Sequence, residues 1–238
     1  MTVMKDILIM FPCAGGNAKS YLRFSKDIQT KVIRIEYSGH GSRYDEPLNE
    51  SFESLLDDVE GDIKEKIGIH DNIFLFGHSM GAYAAFETAN RLIQEKYNVK
   101  CLMFAACPPT PEMNIAELDI KTEGDAKRFL SKMRQVPEKL LNSPFFREDL
   151  LHPIQNDSRI LVDYIKGYRG GVTVDCPIVC FQGREDTLGK DMINWKDYTT
   201  KETMVHDFPG GHFFLYEDNN YEMISKYIYD IICQYGGD

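Results

Sequence analysis

Gly77-His78-Ser79-Met80-Gly81 sets a serine between two glycines, directly after the apolar run 73–76 and before the small residues Ala82, Ala84 and Ala85. A serine on a sharp strand-to-helix turn presents its hydroxyl above a sheet, and flanking glycines let strand and helix approach where a Cβ would collide. The helix N-terminus adds backbone N–H groups and partial positive charge beside that hydroxyl. Such a serine becomes a nucleophile for acyl transfer when a base takes its proton and a third group orients the base. In this context the partners are expected downstream, the acid before the histidine.

Of the six histidines, His212 fits the base best. It lies in Phe208-Pro209-Gly210-Gly211-His212, a glycine-bearing loop past the last strand candidate. His78 adjoins the serine and points away from it, and His40 precedes it in a different loop. His70 and His152 lie outside the catalytic edge of the sheet, and His206 lies within a strand. The acid is expected after a strand, where Gln182-Gly183-Arg184-Glu185-Asp186 follows the apolar run 178–181. Asp186 is assigned to accept the Nδ1 proton of His212, with Glu185 as the alternative. One oxyanion donor is expected from the N–H of Met80, the residue after the nucleophile. The second is expected from Phe11-Pro12-Cys13-Ala14-Gly15-Gly16-Asn17, with Ala14 favoured and Cys13 its neighbour.

The elements that hold these loops follow from hydrophobic patterning. Short apolar runs at 7–11, 32–37, 73–76, 101–105, 178–181 and 202–206 have the length of strands buried on both faces. Helical patterns lie between them at 18–29, 52–67, 81–97, 191–198 and 221–235. The alternation implies an α/β fold, a mostly parallel central sheet flanked by helices with right-handed crossovers. Pro108-Pro109-Thr110-Pro111 interrupts it. The residues up to about 172 read as helical at 123–134, 137–141, 145–151 and 157–168, an insertion placed as a lid over the carboxyl ends of the strands. The chain is therefore expected to be a single domain, 1–238, with a helical lid at about 110–172.

The chain has 238 residues, long enough for one such domain with a modest insertion. A net charge of −10 argues against general nucleic-acid binding. No apolar run is long enough for a membrane span or a signal-peptide core. The six cysteines form no C-x-x-C pair and mostly sit in apolar runs, which fits reduced thiols in the cytoplasm. No zinc-ligand spacing occurs, so no metal is expected.

Four motifs together resemble one family. Phe11-Pro12-Cys13-Ala14-Gly15-Gly16, Gly39-His40-Gly41-Ser42-Arg43, Gly77-His78-Ser79-Met80-Gly81 and Pro209-Gly210-Gly211-His212-Phe213-Phe214 look like those of type II thioesterases, free-standing partners of non-ribosomal peptide and polyketide synthases. The resemblance spans about residues 7–232. It implies an α/β-hydrolase fold and hydrolysis of acyl groups from the phosphopantetheine arm of acyl or peptidyl carrier proteins, which clears mis-acylated or stalled synthases. It implies a triad of Ser79, Asp186 and His212, oxyanion donors at Ala14 and Met80, and no cofactor beyond the pantetheine carried by the substrate protein. The expected protein is a free-standing monomer. Cys13 stands where many members have histidine or tyrosine, and Ala82 where a third glycine is common, which bears on substrate preference.

The lid stretch 126–147 carries six cations, Lys127, Arg128, Lys132, Arg134, Lys139 and Arg147, against one acid, Glu138. Such a basic stretch would attract an acidic carrier protein, or be merely solvated. Phe129, Met133, Leu140, Phe145 and Phe146 would line an acyl channel or pack the lid onto the sheet. The same triad would also serve a product-releasing fatty acyl-carrier-protein thioesterase or a general carboxylesterase.

Overall fold

The computed structural model describes residues 4–132, 138–144 and 146–237. Among these, six strands pair in parallel in the order β2-β1-β3-β4-β5-β6. They are β1 (Asp6–Phe11), β2 (Lys31–Arg34), β3 (Asn72–His78), β4 (Asn98–Ala105), β5 (Ile178–Gly183) and β6 (Thr203–Phe208). The helices are α1 (Phe24–Asp27), α2 (Phe52–Lys64), α3 (Met80–Gln94), α4 (Ile115–Leu118), α5 (Glu123–Lys132), α6 (Glu138–Leu141), α7 (Leu151–Gly167) and α8 (Asp218–Gly236). All seven residues of β3 are buried, as a central parallel strand covered on both faces requires. Strand order reverses between β1 and β3, so the crevice at their carboxyl ends is where an open α/β sheet places its ligand.

Two apolar cores sandwich the sheet. One face packs against α2, α3 and part of α7. The other packs against α1 and α8. α2 opens on a capping box in which Ser51 and Ser54 exchange side-chain-to-backbone hydrogen bonds, satisfying two otherwise orphaned N–H groups. No described helix is long and apolar enough to cross a membrane.

Several elements differ from the sequence expectation. β2 ends at Arg34, although Ile35 N–H still donates to the Met10 carbonyl at 2.9 Å before the chain leaves the sheet. The helix expected at 18–29 is a 3₁₀ turn (Ala18–Tyr21), capped by Asn17, followed by the single turn α1. The stretch at 191–198 is a 3₁₀ helix (Met192–Tyr198) that buries Trp195, whose Nε1 donates to the Cys107 carbonyl at 2.7 Å. α7 begins at Leu151 rather than at 157. Pro153 sits in its first turn, where the missing N–H costs no helical bond.

The segment between β4 and β5 builds a small core of its own from Ile120, Ala126, Leu130, Leu141, Phe146 and Ile154. Phe146 is fully buried there, with Phe129 packed beside it. Met133, Arg134, Phe145 and the side chains of Lys132 and Leu140 lie outside the described residues. α7 ties the segment to the body: Asn156 Nδ2 donates to the Asn49 carbonyl at 2.9 Å and Arg159 to that of Glu50 at 3.0 Å.

α3 begins against the end of β1 at the minimum possible separation. A Cβ on Gly81 would stand 2.2 Å from the Phe11 carbonyl oxygen, and one on Gly77 would stand 2.2 Å from that of Gly81. These obstacles are backbone and do not swing aside. Gly81→Ala is therefore expected to destabilise the protein by at least about 2 kcal/mol, measured by urea unfolding. Unaltered stability would contradict this packing.

Candidate active site

Ser79 lies between β3 and α3 with φ 54° and ψ −122°, a strained backbone for a residue with a side chain. The strain is held by packing on both sides and by the Ser79 N–H, which donates to the Ala105 carbonyl of β4 at 2.9 Å. The turn aims Ser79 Oγ at the loop after β6, where His212 Nε2 lies 2.9 Å away. The other ring nitrogen, Nδ1, lies 2.9 Å from Asp186 Oδ2 on the loop after β5. The structure thus brings Ser79, His212 and Asp186 into one hydrogen-bonded line, all three nearly excluded from solvent. Burial works against a charged Asp186, but the hydrogen bond and charge of His212 and the N–H groups of Leu188 and Gly189 outweigh it and lower its pKa. Such a line can move a proton from a serine hydroxyl to an imidazole while the carboxylate fixes the tautomer.

The histidine loop is braced on several sides. Asn220 of α8 donates to the carbonyls of Pro209 at 2.8 Å and Phe214 at 3.0 Å. Glu185 accepts from Gly210 N–H, so this alternative acid anchors the loop rather than facing the ring of His212. His78 Nε2 donates to the His212 carbonyl at 2.9 Å, from a ring packed against those of His212 and Phe213. Burial and the charge of His212 push the His78 pKa down to about 3, so this ring stays neutral.

The loop after β1 leaves the strand where the Phe11 and Pro12 carbonyls abut Gly81 at the start of α3, and most of its backbone groups are committed. The Phe11 carbonyl accepts from Tyr21 at 2.8 Å and that of Pro12 from Tyr37 at 3.0 Å. Gly15 N–H donates to Asp157 at 2.8 Å, Gly16 N–H to the Cys13 carbonyl at 2.9 Å, and Ala18 N–H to Glu36 at 2.8 Å. The amides of Cys13, Ala14 and Met80 have no such acceptor among the described residues, so both candidates for the second oxyanion donor remain uncommitted. The Cys13 thiol is buried, and burial together with the Asp157 charge pushes its pKa up to about 12. It stays protonated and is no rival nucleophile.

Sequence reasoning passed over one buried pair beside this site. His40 and Asp157 meet at 3.0 Å, from the loop after β2 and from α7. The Gly39-His40-Gly41 motif was its visible signal; nothing local marked Asp157. His206 sits in β6 with its ring against Tyr227, as a structural residue. The basic stretch 126–147 also looks different in space. Lys127 and Arg147 both reach Glu123, and Arg128 reaches Asp125. These two acids lie just before the counted stretch; they contact three of its six cations and offset two of the positive charges.

A parallel sheet in this order, a serine elbow after β3 and an insertion between β4 and β5 define an α/β-hydrolase. Within that class the chain belongs to the thioesterase domain family, whose model matches residues 6–231. It is 30% identical over 229 residues to the medium-chain S-acyl fatty acid synthase thioesterase of Homo sapiens, covering 93% of this chain and 85% of that one. It is 31% identical over 228 residues to the gramicidin S biosynthesis protein GrsT of Aneurinibacillus migulanus, covering 91% and 85%. The solved type II thioesterase BorB from the borrelidin biosynthetic cluster superposes with a TM-score of 0.84 at 25% identity, over 96% of this chain and 93% of that one. The protein is thus a hydrolase acting on thioesters.

Because the pKa of Asp186 is lowered on folding, its charge contributes stability that is complete above the ordinary value of about 3.9 and lost as pH falls through the folded value. The stability gap between wild type and Asp186→Asn, followed by urea unfolding, is expected to narrow on acidification below about pH 4. A gap that stayed constant into stronger acid would contradict a charged, hydrogen-bonded Asp186.

Proposed function

We propose that the protein hydrolyses acyl groups from the phosphopantetheine arm of carrier-protein domains and so clears mis-acylated or stalled synthases, with Ser79 as nucleophile, His212 as base and Asp186 orienting the base. The observation that carries the chemistry is the continuous hydrogen-bonded line from Ser79 Oγ through His212 to Asp186. Relatives named for gramicidin S biosynthesis and the borrelidin cluster support the carrier-protein substrate.

His212 takes the Ser79 proton as Oγ forms its bond to the thioester carbonyl carbon. The carbonyl oxygen becomes an oxyanion and receives the N–H groups of Met80 and Ala14. Collapse breaks the C–S bond, and the pantetheine sulfur leaves with the proton from His212; a thiol of pKa about 8.5 needs little assistance. Water then gives a proton to His212 and its oxygen to the acyl carbon. The C–Oγ bond breaks, the proton returns to Ser79, and the products are a carboxylic acid and the free thiol. No step asks the chain for a redox or metal function.

Release of a finished fatty acyl chain uses the same steps and is favoured by the similarity to the fatty acid synthase thioesterase. Substrate preference separates the two. An acetyl group and a medium-chain acyl group are loaded on a phosphopantetheinylated carrier protein, on a simple thiol and on p-nitrophenol. The editing reading expects a higher kcat/KM for carrier-bound than for free acyl groups and efficient removal of acetyl. Preference for the medium chain points to product release, and equal turnover of the free ester points to a general esterase. Ser79→Ala is expected to lower kcat by about 10⁴-fold or more on every substrate.

A further inference from the structure

His40 lies in the Gly39-His40-Gly41-Ser42-Arg43 motif, and the hydrolytic scheme assigns it no task. It is only 4% exposed, yet both ring nitrogens face acceptors. Nδ1 lies 3.0 Å from the Ser38 carbonyl oxygen, and Nε2 lies 3.0 Å from Asp157 Oδ2. A neutral imidazole has one N–H and one lone pair, so it satisfies one of these acceptors and turns a lone pair toward the other. The imidazolium donates to both.

Asp157 is 1% exposed, and its Oδ2 accepts from His40 and from Gly15 N–H at 2.8 Å. The carboxylate that faces the His40 ring therefore anchors the peptide next to Ala14. Left alone, a buried negative charge here would oppose an oxyanion developing against the same loop; a cation on His40 offsets it. The remaining groups around the ring fit this charge. Glu36 lies nearby, its carboxylate accepting from Ala18 N–H at 2.8 Å and from the N–H and hydroxyl of Ser42. The Tyr37 ring meets His40 edge-on, and Cys13 is protonated. Behind Ser38, Glu46 receives the Ser38 hydroxyl, and Arg43 is paired with Glu46 and Asp58.

We propose that His40 is an imidazolium in the folded protein and that the buried His40–Asp157 ion pair positions the loop carrying the Ala14 oxyanion donor, which makes both positioning residues for thioester hydrolysis. The assignment of a role in turnover rests on the reading of Ser79 given above. Burial opposes the charge on His40; the hydrogen bond and charge of Asp157, the Ser38 carbonyl and Glu36 outweigh it and raise the pKa. The pair's contribution is therefore complete below the ordinary histidine value of about 6.5 and lost as pH rises through the raised one. Because Asp157 sits on α7, within the segment inserted between β4 and β5, the seating of that helix and the geometry of the oxyanion loop are one arrangement. A shift of α7 removes the anchor from Gly15.

Two measurements test this, and the first needs no turnover. In ¹⁵N–¹H correlation spectra of the histidine-labelled full chain, followed upward from about pH 5.5, His40 is expected to keep two protonated ring nitrogens past the ordinary histidine value of about 6.5, in wild type and in Ser79→Ala alike. The signal is assigned by its loss in His40→Gln and its displacement in Asp157→Asn. A ring already neutral at that value would overturn the ion pair. The second is kinetic, with kcat expressed per Ser79 titrated by a fluorophosphonate, so that unfolded protein does not count. Asp157→Asn is expected to lower kcat on a small acyl thioester by about 10- to 100-fold, as a misplaced donor does, with KM within about threefold. Unchanged kcat per labelled serine would overturn the positioning role. Persistent turnover by Ser79→Ala would instead fault the reading of the nucleophile, leaving the protonation of His40 to the spectra.

Discussion

The site depends on the contact between the first turn of α3 and the end of β1. Gly81 stands against the Phe11 carbonyl so closely that a methyl group has no place, and Gly77 is pressed equally against Gly81. This approach forces the turn between β3 and α3 to be sharp and sets Ser79 at φ 54°. Strain of this kind persists only where the surroundings over-determine it. Here the central strands, buried on both faces, and the Ser79 N–H bond to β4 do so. Because the strand order reverses between β1 and β3, the crevice at their carboxyl ends, where such a sheet places its ligand, adjoins both the loop after β1 and the serine turn.

Three histidines around that crevice are tuned by their partners. His212 stands between a serine hydroxyl and a buried carboxylate, so the carboxylate fixes the ring's orientation towards Ser79 Oγ. His78 has only a carbonyl to donate to and is buried among the rings of His212, Phe213 and Tyr216, so it stays neutral and braces the His212 backbone. His40 faces a carboxylate and a carbonyl and takes the charge that both favour. The residue type is the same; the number and charge of acceptors within hydrogen-bond reach decide the proton count. Each buried carboxylate in this region, Asp186 and Asp157, is matched by a histidine and by at least one backbone N–H. That matching is what makes burial of so many ionisable groups tolerable.

Much of this arrangement was legible in the chain itself. The serine elbow declares itself through glycine spacing, and the order of acid and histidine follows from the loops after β5 and β6. The central strands β1, β3 and β5 appear as short apolar runs because parallel strands are covered on both faces, whereas the edge strands β2 and β6 are half-exposed and carry polar residues. What was illegible depended on long-range packing. The 3₁₀ geometry over Met192–Tyr198 follows from burying Trp195 against Cys107, which no local pattern reports. α7 starts earlier than its pattern suggests because Pro153 is harmless in a first turn. The His40–Asp157 pair joins residues more than a hundred positions apart, so neither announces the other. The count of charges over 126–147 holds, but Glu123 and Asp125, one helical turn before it on α5, pair with Lys127 and Arg128, and Arg147 reaches Glu123 from 24 positions away.

The central claim is that acyl groups pass through a covalent ester on Ser79. Rapid mixing with an acyl thioester, acid quench and intact-mass analysis with peptide mapping tests it most directly. The account predicts a transient adduct of one acyl mass on the peptide containing Ser79, formed and lost at rates compatible with kcat and absent in Ser79→Ala. An adduct on Cys13, or turnover with no acyl-enzyme at any time point, would contradict it.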